Sequence, residues 1–219
     1  MRTIIFLSLC LSILYAASSC NDDEELIDRS CPDTNHPHMI DLGLPSGTKW
    51  ACCNVGATNP EEYGGHYAWG ETEVKDVYNW STYTHCDGTP YNCYNIGDNI
   101  AGTKYDVAHE KWRGLWRMPS VDHIEELCIK CSWTWTTKNG VQGYMVKGKK
   151  NAIFLPAAGF YCSWKDILVG GNSVGHYWSS SLNSEEESSP FWLTLSSGLR
   201  DCYNYGTRSQ GLSVRAVCP

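Results

Sequence analysis

Twelve cysteines and seven histidines carry most of the potential chemistry of this 219-residue chain, and their spacing decides what that chemistry can be. Cys128 and Cys131 form a C-x-x-C pair, a motif that serves either redox exchange or half of a zinc site. Redox use wants the first cysteine at a helix N-terminus. These two fall two turns into a helical pattern, on its apolar stripe, and read as buried core thiols. No second C-x-x-C and no H-x-x-x-H completes a metal set. His36, His38, His66, His85, His109, His123 and His176 are dispersed, so no metal ligand and no cofactor is assigned. Adjacent Cys52 and Cys53 point to opposite faces of a strand, so at most one of them reaches a given core partner. Cys86 and Cys93 flank a Gly/Pro loop and are the candidate local disulfide. Glu185 to Glu187 lack the spacing of a calcium loop and read as a solvated face. No G-x-S-x-G, H-E-x-x-H or phosphate-cradling glycine loop occurs, and no catalytic residue is assigned.

Binding chemistry has better candidates than catalysis. The segment Leu182 to Gln210, LNSEEESSPFWLTLSSGLRDCYNYGTRSQ, combines Phe191, Trp192, Tyr203 and Tyr205 with Arg200, Asn204 and Arg208. Rigid rings beside directional donors are the chemistry of binding hot spots, so Trp192, Arg200, Tyr203, Asn204, Tyr205 and Arg208 are the candidate ligand-binding residues. The competing reading of the same pattern is a strand whose Phe191, Leu193 and Leu195 face a core while Trp192 and Thr194 face out. Ten Trp and 13 Tyr against four Phe favour rings with a polar handle, suited either to a recognition surface or to the edges of a sheet-rich core. A formal charge of −7 leaves no basic surface for phosphates, which excludes nucleic acid as an expected partner.

These residues need elements to position them, and short strands punctuated by Gly, Pro, Ser and Asn dominate the pattern. Strands are predicted over Lys49–Val55, Gly143–Lys147, Ala152–Leu155, His176–Ser180, Phe191–Leu195 and Leu212–Cys218. VKGKKNAIF predicts a hairpin with its turn at 148–151. In the last strand Leu212, Val214, Ala216 and Cys218 share one face and Ser213, Arg215 and Val217 the other, as in a half-buried strand. PSVDHIEELCIKC predicts a helix capped by Ser120, with Val121, Ile124, Leu127, Cys128 and Cys131 as its apolar stripe. A shorter helix is predicted over Val107–Trp112. With 42% apolar and 19% charged residues the body is globular, and the pattern is that of one α+β domain starting near His38.

The first 19 residues, MRTIIFLSLCLSILYAASS, have the charge, apolar core and small-residue order of a secretory signal. The apolar run is shorter than the ~20 residues that span a bilayer, so cleavage is expected rather than a permanent helix. ASSC resembles a bacterial lipobox, which implies Cys20 as the lipidated N-terminus of the mature protein. Residues 20–37 then form a polar tether, and Asp22, Asp23, Glu24 and Glu25 resemble the short acidic export signal of Bacteroidetes surface lipoproteins. Outer-membrane, lipid-anchored, surface-exposed localisation follows as the expectation. Cys10 leaves with the leader and Cys20 carries lipid, and export permits disulfides among the other cysteines.

The succession DLGLPSGTKWACCNVGA, YGGHYAWGET, WRGLWRMPS, WTWTTKNGVQGYMV, NAIFLPAAGF, YWSSSL and GLSVRAV resembles the Fibrobacter succinogenes major paralogous domain, a family of Bacteroidetes surface proteins. The resemblance runs from about His38 to Cys218. It implies the C-type-lectin-like fold group, in which N- and C-terminal strands meet and a loop-rich face binds ligand; the fold alone does not fix function. In relatives diversified by retroelements the variable positions lie near the C-terminus, which again draws attention to Leu182–Gln210. Glu-Pro-Asn and Gln-Pro-Asp, the calcium tripeptides of animal lectins, are absent. The expected function is a surface binding module or adhesin for a protein or glycan. The alternative is a structural or assembly component of an envelope complex, and an oxidase of the formylglycine-generating type ranks third.

Overall fold

A computed structural model describes residue 31 and residues 33–162, 165–186 and 188–219. Cys10, Cys20, the acidic run and Glu187 lie outside the described residues.

The two ends of the domain meet on one strand. β2 (Lys49–Ala51) lies between β1 (Met39–Ile40) and β11 (Val217–Cys218), with Trp50 opposite both Ile40 and Val217. β3 (Ser132–Lys138), β4 (Val141–Lys147) and β5 (Ala152–Pro156) form an antiparallel meander. Its first turn is Asn139–Gly140, with φ of 48° and 82°. Both positions need positive φ, which Asn-Gly supplies, and this hairpin was not among the predicted elements. The second turn is the predicted one, closed by Gly148 N–H donating to Asn151 O at 2.9 Å. β6 (Phe160–Cys162) pairs with β7 (Lys165–Val169). In the remaining sheet β9 (Pro190–Ser196) is central, between β8 (Val174–Leu182) and β10 (Leu199–Tyr205). The described residues are thus mostly antiparallel strands in small sheets with two helices, an α+β architecture.

α1 (Val107–Trp112) and α2 (Val121–Lys130) fall where the sequence places them. α1 is capped by the fully buried Asp106, whose Oδ1 accepts from Ala108 and His109 N–H while Oδ2 accepts from Gly102 and Met118 N–H. Burial pushes this carboxyl up, and the four N–H donors oppose the shift. Ser120 caps α2 as expected: its Oγ accepts from His123 N–H, and His123 Nδ1 accepts in return from Ser120 N–H at 3.0 Å. Burial lowers the His123 pKa and so favours the neutral ring that this acceptor role requires. Ile124, Leu127 and Cys128 are buried, so the stripe is core; Val121 and Cys131 lie at its margin.

Two corrections concern the ends of the domain. The strand expected over Lys49–Val55 stops at Ala51, after which the chain bends through Cys52 and Cys53 and Val55 N–H bonds Val214 O. The strand expected over Leu212–Cys218 is reduced to Val217–Cys218, with Leu212 and Ser213 bridging Tyr67 and Tyr177 singly. Its alternation holds, yet both faces are buried: Leu212, Val214, Ala216 and Cys218 enter one core, and Val217 the other. Arg215, 1% exposed, donates to Asn54 Oδ1, Ala51 O, Cys52 O and Phe154 O at 2.8–3.1 Å, tying the end of β2 to β5.

The excess of Trp over Phe is explained largely by these cores. Trp69 and Trp178 are fully buried and donate their indole N–H to Ser179 O and Tyr67 O, so their polar handles are satisfied inside.

Candidate functional site

Of the six residues nominated for binding, the structure keeps four near the surface and removes two. Arg200, Tyr203 and Tyr205 are exposed on β10 and Asn204 is half-buried. Arg200 lies over the Trp133 ring at 5.1 Å. Tyr203 meets Glu125, and the hydrogen bond to that carboxylate, more than its charge alone, pushes the phenol up to about 12. Trp192 is 6% exposed: it packs against Trp178, donates to Thr194 Oγ1 and is covered by Gly206, where a Cβ would come within 2.3 Å of the ring. The outward orientation expected for Trp192 and Thr194 fails because β9 is the central strand and both its faces are buried. Arg208 is 2% exposed, stacked on Trp69 at 4.9 Å and donating to Tyr94 O, so it holds loops together rather than reaching a ligand.

The cysteine expectations change as well. Cys128 is joined to Cys202 of β10 by a disulfide, which corrects its reading as a core thiol; Cys131 is a half-buried thiol pushed up to about 11 by burial. Cys86 and Cys93 face each other across an antiparallel bridge, but no disulfide joins them. The Cys86 thiol turns instead to Trp80 O and Tyr83 O, and that of Cys93 to Pro90 O.

Two hollows lie elsewhere. From Cys52 to Asp106 the chain forms no helix and no strand longer than an isolated bridge, yet it is ordered around its own small core of Ala68, Tyr78, Tyr83 and Cys86. Long stretches of this kind in compact domains are usually functional. Here the stretch frames a cleft of about 390 Å³ with Tyr105, His85, Glu71, Glu73, Val74 and Lys75 among its walls. Side-chain bonds fix those walls. Glu71 accepts from Thr84 N–H and Oγ–H and pairs with Lys75 at 2.6 Å. Lys75 also donates to Thr82 O. His85 Nε2 donates to Gly70 O at 3.0 Å, which leaves Nδ1 as the acceptor, and the ring stands edge-on to Tyr105 and Tyr83. Gly70 is required: its φ is +85° and a Cβ would meet Ile96.

A second hollow of about 260 Å³ adjoins the first and shares Val74 and Lys75 with it. Its walls include Gly64, Gly65, His66 and the stacked rings of Tyr78 and Tyr161, 5.0 Å apart. Tyr78 is held by its hydroxyl donating to His66 O, and His66 by Nε2 donating to Ala158 O at 3.0 Å. Most of YGGHYAWGET therefore builds or lines the two hollows, a role its sequence did not announce because its order comes from side-chain bonds rather than from a period.

Another group that sequence spacing passed over lies beside the end of β2. Cys31, His36, His38 and Cys52 bring one ligand atom each within 4.8 Å of the others. Cys52 Sγ stands 3.2 Å from His36 Nδ1, 3.6 Å from His38 Nδ1 and 3.2 Å from the donating His38 N–H. The hydrogen bond of Cys53, then those of His36 and His38, pull Cys52 down to about 4 against the opposing effect of burial, while burial pushes Cys31 up to about 12. The signal that could have found this group is C-x4-H-x-H-x13-C, which mixes residue types across a tether and a strand.

No family model, no curated protein and no solved structure matches this chain.

Proposed function

We propose that this chain is a lipid-anchored outer-membrane protein, exposed at the cell surface, whose C-type-lectin-like domain is a binding module or adhesin. The observation that carries the binding reading is the pair of adjoining hollows sharing Val74 and Lys75, built by a long loop segment whose walls are already pinned. Preorganised walls lose little freedom when a ligand arrives. Their chemistry favours a neutral, hydroxyl-rich ligand. Tyr105 and Tyr161, the latter backed by the buried Tyr78, offer aromatic surface, while Glu71 and Glu73 balance Lys75 and Lys104 in charge. A glycan meets those terms better than an acidic or basic polymer. The meeting of β1 and β11 on β2 supports the lectin-like reading. The test is a screen of the purified chain against glycan and protein arrays, with and without calcium. Saturable glycan binding is expected, and binding to no array member would remove the reading.

The anchor rests on the apolar leader and ASSC before the acidic run. Cys20→Ala should shift the protein from membrane to soluble fractions, since each buried methylene of the acyl chains contributes about 0.8 kcal/mol to attachment. Continued membrane retention of Cys20→Ala would refute it.

A second reading, an assembly component of an envelope complex, is favoured by Arg200, Tyr203 and Tyr205 exposed together on β10. It predicts a stable co-purifying partner that is lost with Tyr203→Ala.

A further inference from the structure

We propose that Cys31, His36, His38 and Cys52 are the four ligands of a structural zinc site that fastens the N-terminal segment of the domain to the end of β2. Two sulfurs and two imidazole nitrogens are a donor set that zinc takes in closed, tetrahedral, structural sites. With zinc–sulfur and zinc–nitrogen bonds of about 2.3 and 2.0–2.1 Å, the edges of such a tetrahedron are roughly 3.3–3.8 Å long. The observed separations are 3.5 Å from Cys31 Sγ to His36 Nδ1, 3.2 Å from His36 Nδ1 to Cys52 Sγ and 3.6 Å from Cys52 Sγ to His38 Nδ1. These three separations are near the edges of such a tetrahedron, and all four atoms lie within 4.8 Å of one another.

The surroundings are those that a metal-bound histidine uses. His38 directs Nε2 to Asp33 Oδ1 at 3.1 Å, so its proton sits on Nε2 and Nδ1 is left free to ligate. A carboxylate in that position fixes the tautomer and the ring, and raises ligand basicity. The His38 N–H donates to Cys52 Sγ, a bond suited to thiolate sulfur. All four donors come from the protein and no position is left open, so the site holds structure rather than activating water.

What it holds is specific. Cys31, His36 and His38 belong to the stretch that leads into β1, and Cys52 follows β2 directly. Zinc would therefore clamp the entry of the domain onto the strand that also pairs with its last one.

The competing arrangement is a disulfide between Cys31 and Cys52, and the experiment separates the two. The full chain, purified under reducing conditions and stripped with a chelator, is titrated with Zn(II) alone and with Co(II) alone. The expected result is one metal ion per chain, a raised melting temperature, and a cobalt spectrum with the intense visible bands of tetrahedral geometry together with thiolate-to-cobalt charge transfer. Cys31→Ser should weaken the charge-transfer band. Asp33→Asn, an exposed carboxylate outside the ligand set, should weaken binding 10- to 100-fold without changing the fold. Because Cys52 is buried and its variant can fail to fold, His38→Ala serves as the second ligand test and should lose tight binding. Unchanged affinity in His38→Ala, a cobalt spectrum without thiolate bands, or a Cys31–Cys52 disulfide in protein isolated from its cells would each overturn the proposal.

Discussion

Arg215 shows how much of this fold depends on single side chains that join separated segments. Its guanidinium bonds four neutral acceptors, Ala51 O, Cys52 O, Asn54 Oδ1 and Phe154 O, none of which is replaced by solvent at 1% exposure. Arg215→Met keeps the volume and leaves those acceptors unmatched, so it should cost about 3 kcal/mol or more. Arg215→Lys should recover little, because one ammonium cannot reach acceptors spread over residues 51–54 and 154. A denaturant midpoint for Arg215→Met equal to that of the wild type would contradict this role. The alternation of Leu212 to Cys218 made the facing of Arg215 legible in the sequence, but nothing local said that the second face was also covered. Trp192 and Tyr203 teach the same lesson from the other side. Both look like surface rings in a polar segment, yet Trp192 sits on the central β9, covered on both faces, while Tyr203 falls within the register shift of β10 against β9 between Asp201 and Asn204. Such a bulge changes which residues point outward, and a period of two cannot reveal it.

At the scale of elements, α2 was the most legible part of the molecule, since Ser120, the apolar stripe and the length all agree with Val121–Lys130. Its attachment was not legible. Cys128 belongs to the stripe and also to the disulfide with Cys202, 74 residues later, and connectivity cannot be read from cysteine spacing alone. That link closes a long loop and ties the helix to β10, so by the chain-entropy model it should stabilise the domain by about 4 kcal/mol. Cys202→Ser, or reduction of the wild type, should lower the melting temperature accordingly, and no change under reduction would show that the bond carries no stability. The β3–β4 hairpin was legible although unpredicted: SWTWTTK alternates Trp with Thr and is followed by the Asn139–Gly140 turn, both local signs of a hairpin. The structure sets Trp133 and Trp135 of that strand against Tyr144.

For the whole molecule, the α+β class and the meeting of first and last strands agree with expectation. The hollows do not come from any period in the sequence. They are made by Glu71, Lys75, Tyr78, Tyr83 and His85, each bonding a backbone group or a side chain some distance along the loop. Such bonds order a long connection without helix or ladder, which is why the sequence pointed to the rings near the C-terminus instead. The central claim is that ligand binds at the hollows on either side of Val74 and Lys75. The measurement that tests it most directly is the equilibrium affinity of the purified chain for a glycan recovered from the array, compared across Tyr105→Ala, Lys75→Ala and Tyr203→Ala, each with its melting temperature recorded. The account predicts that at least one of Tyr105→Ala and Lys75→Ala weakens binding by about 30-fold, equivalent to about 2 kcal/mol, with the fold retained, while Tyr203→Ala binds like the wild type. Full affinity in both cleft variants, with loss in Tyr203→Ala, would contradict it and return the site to β10.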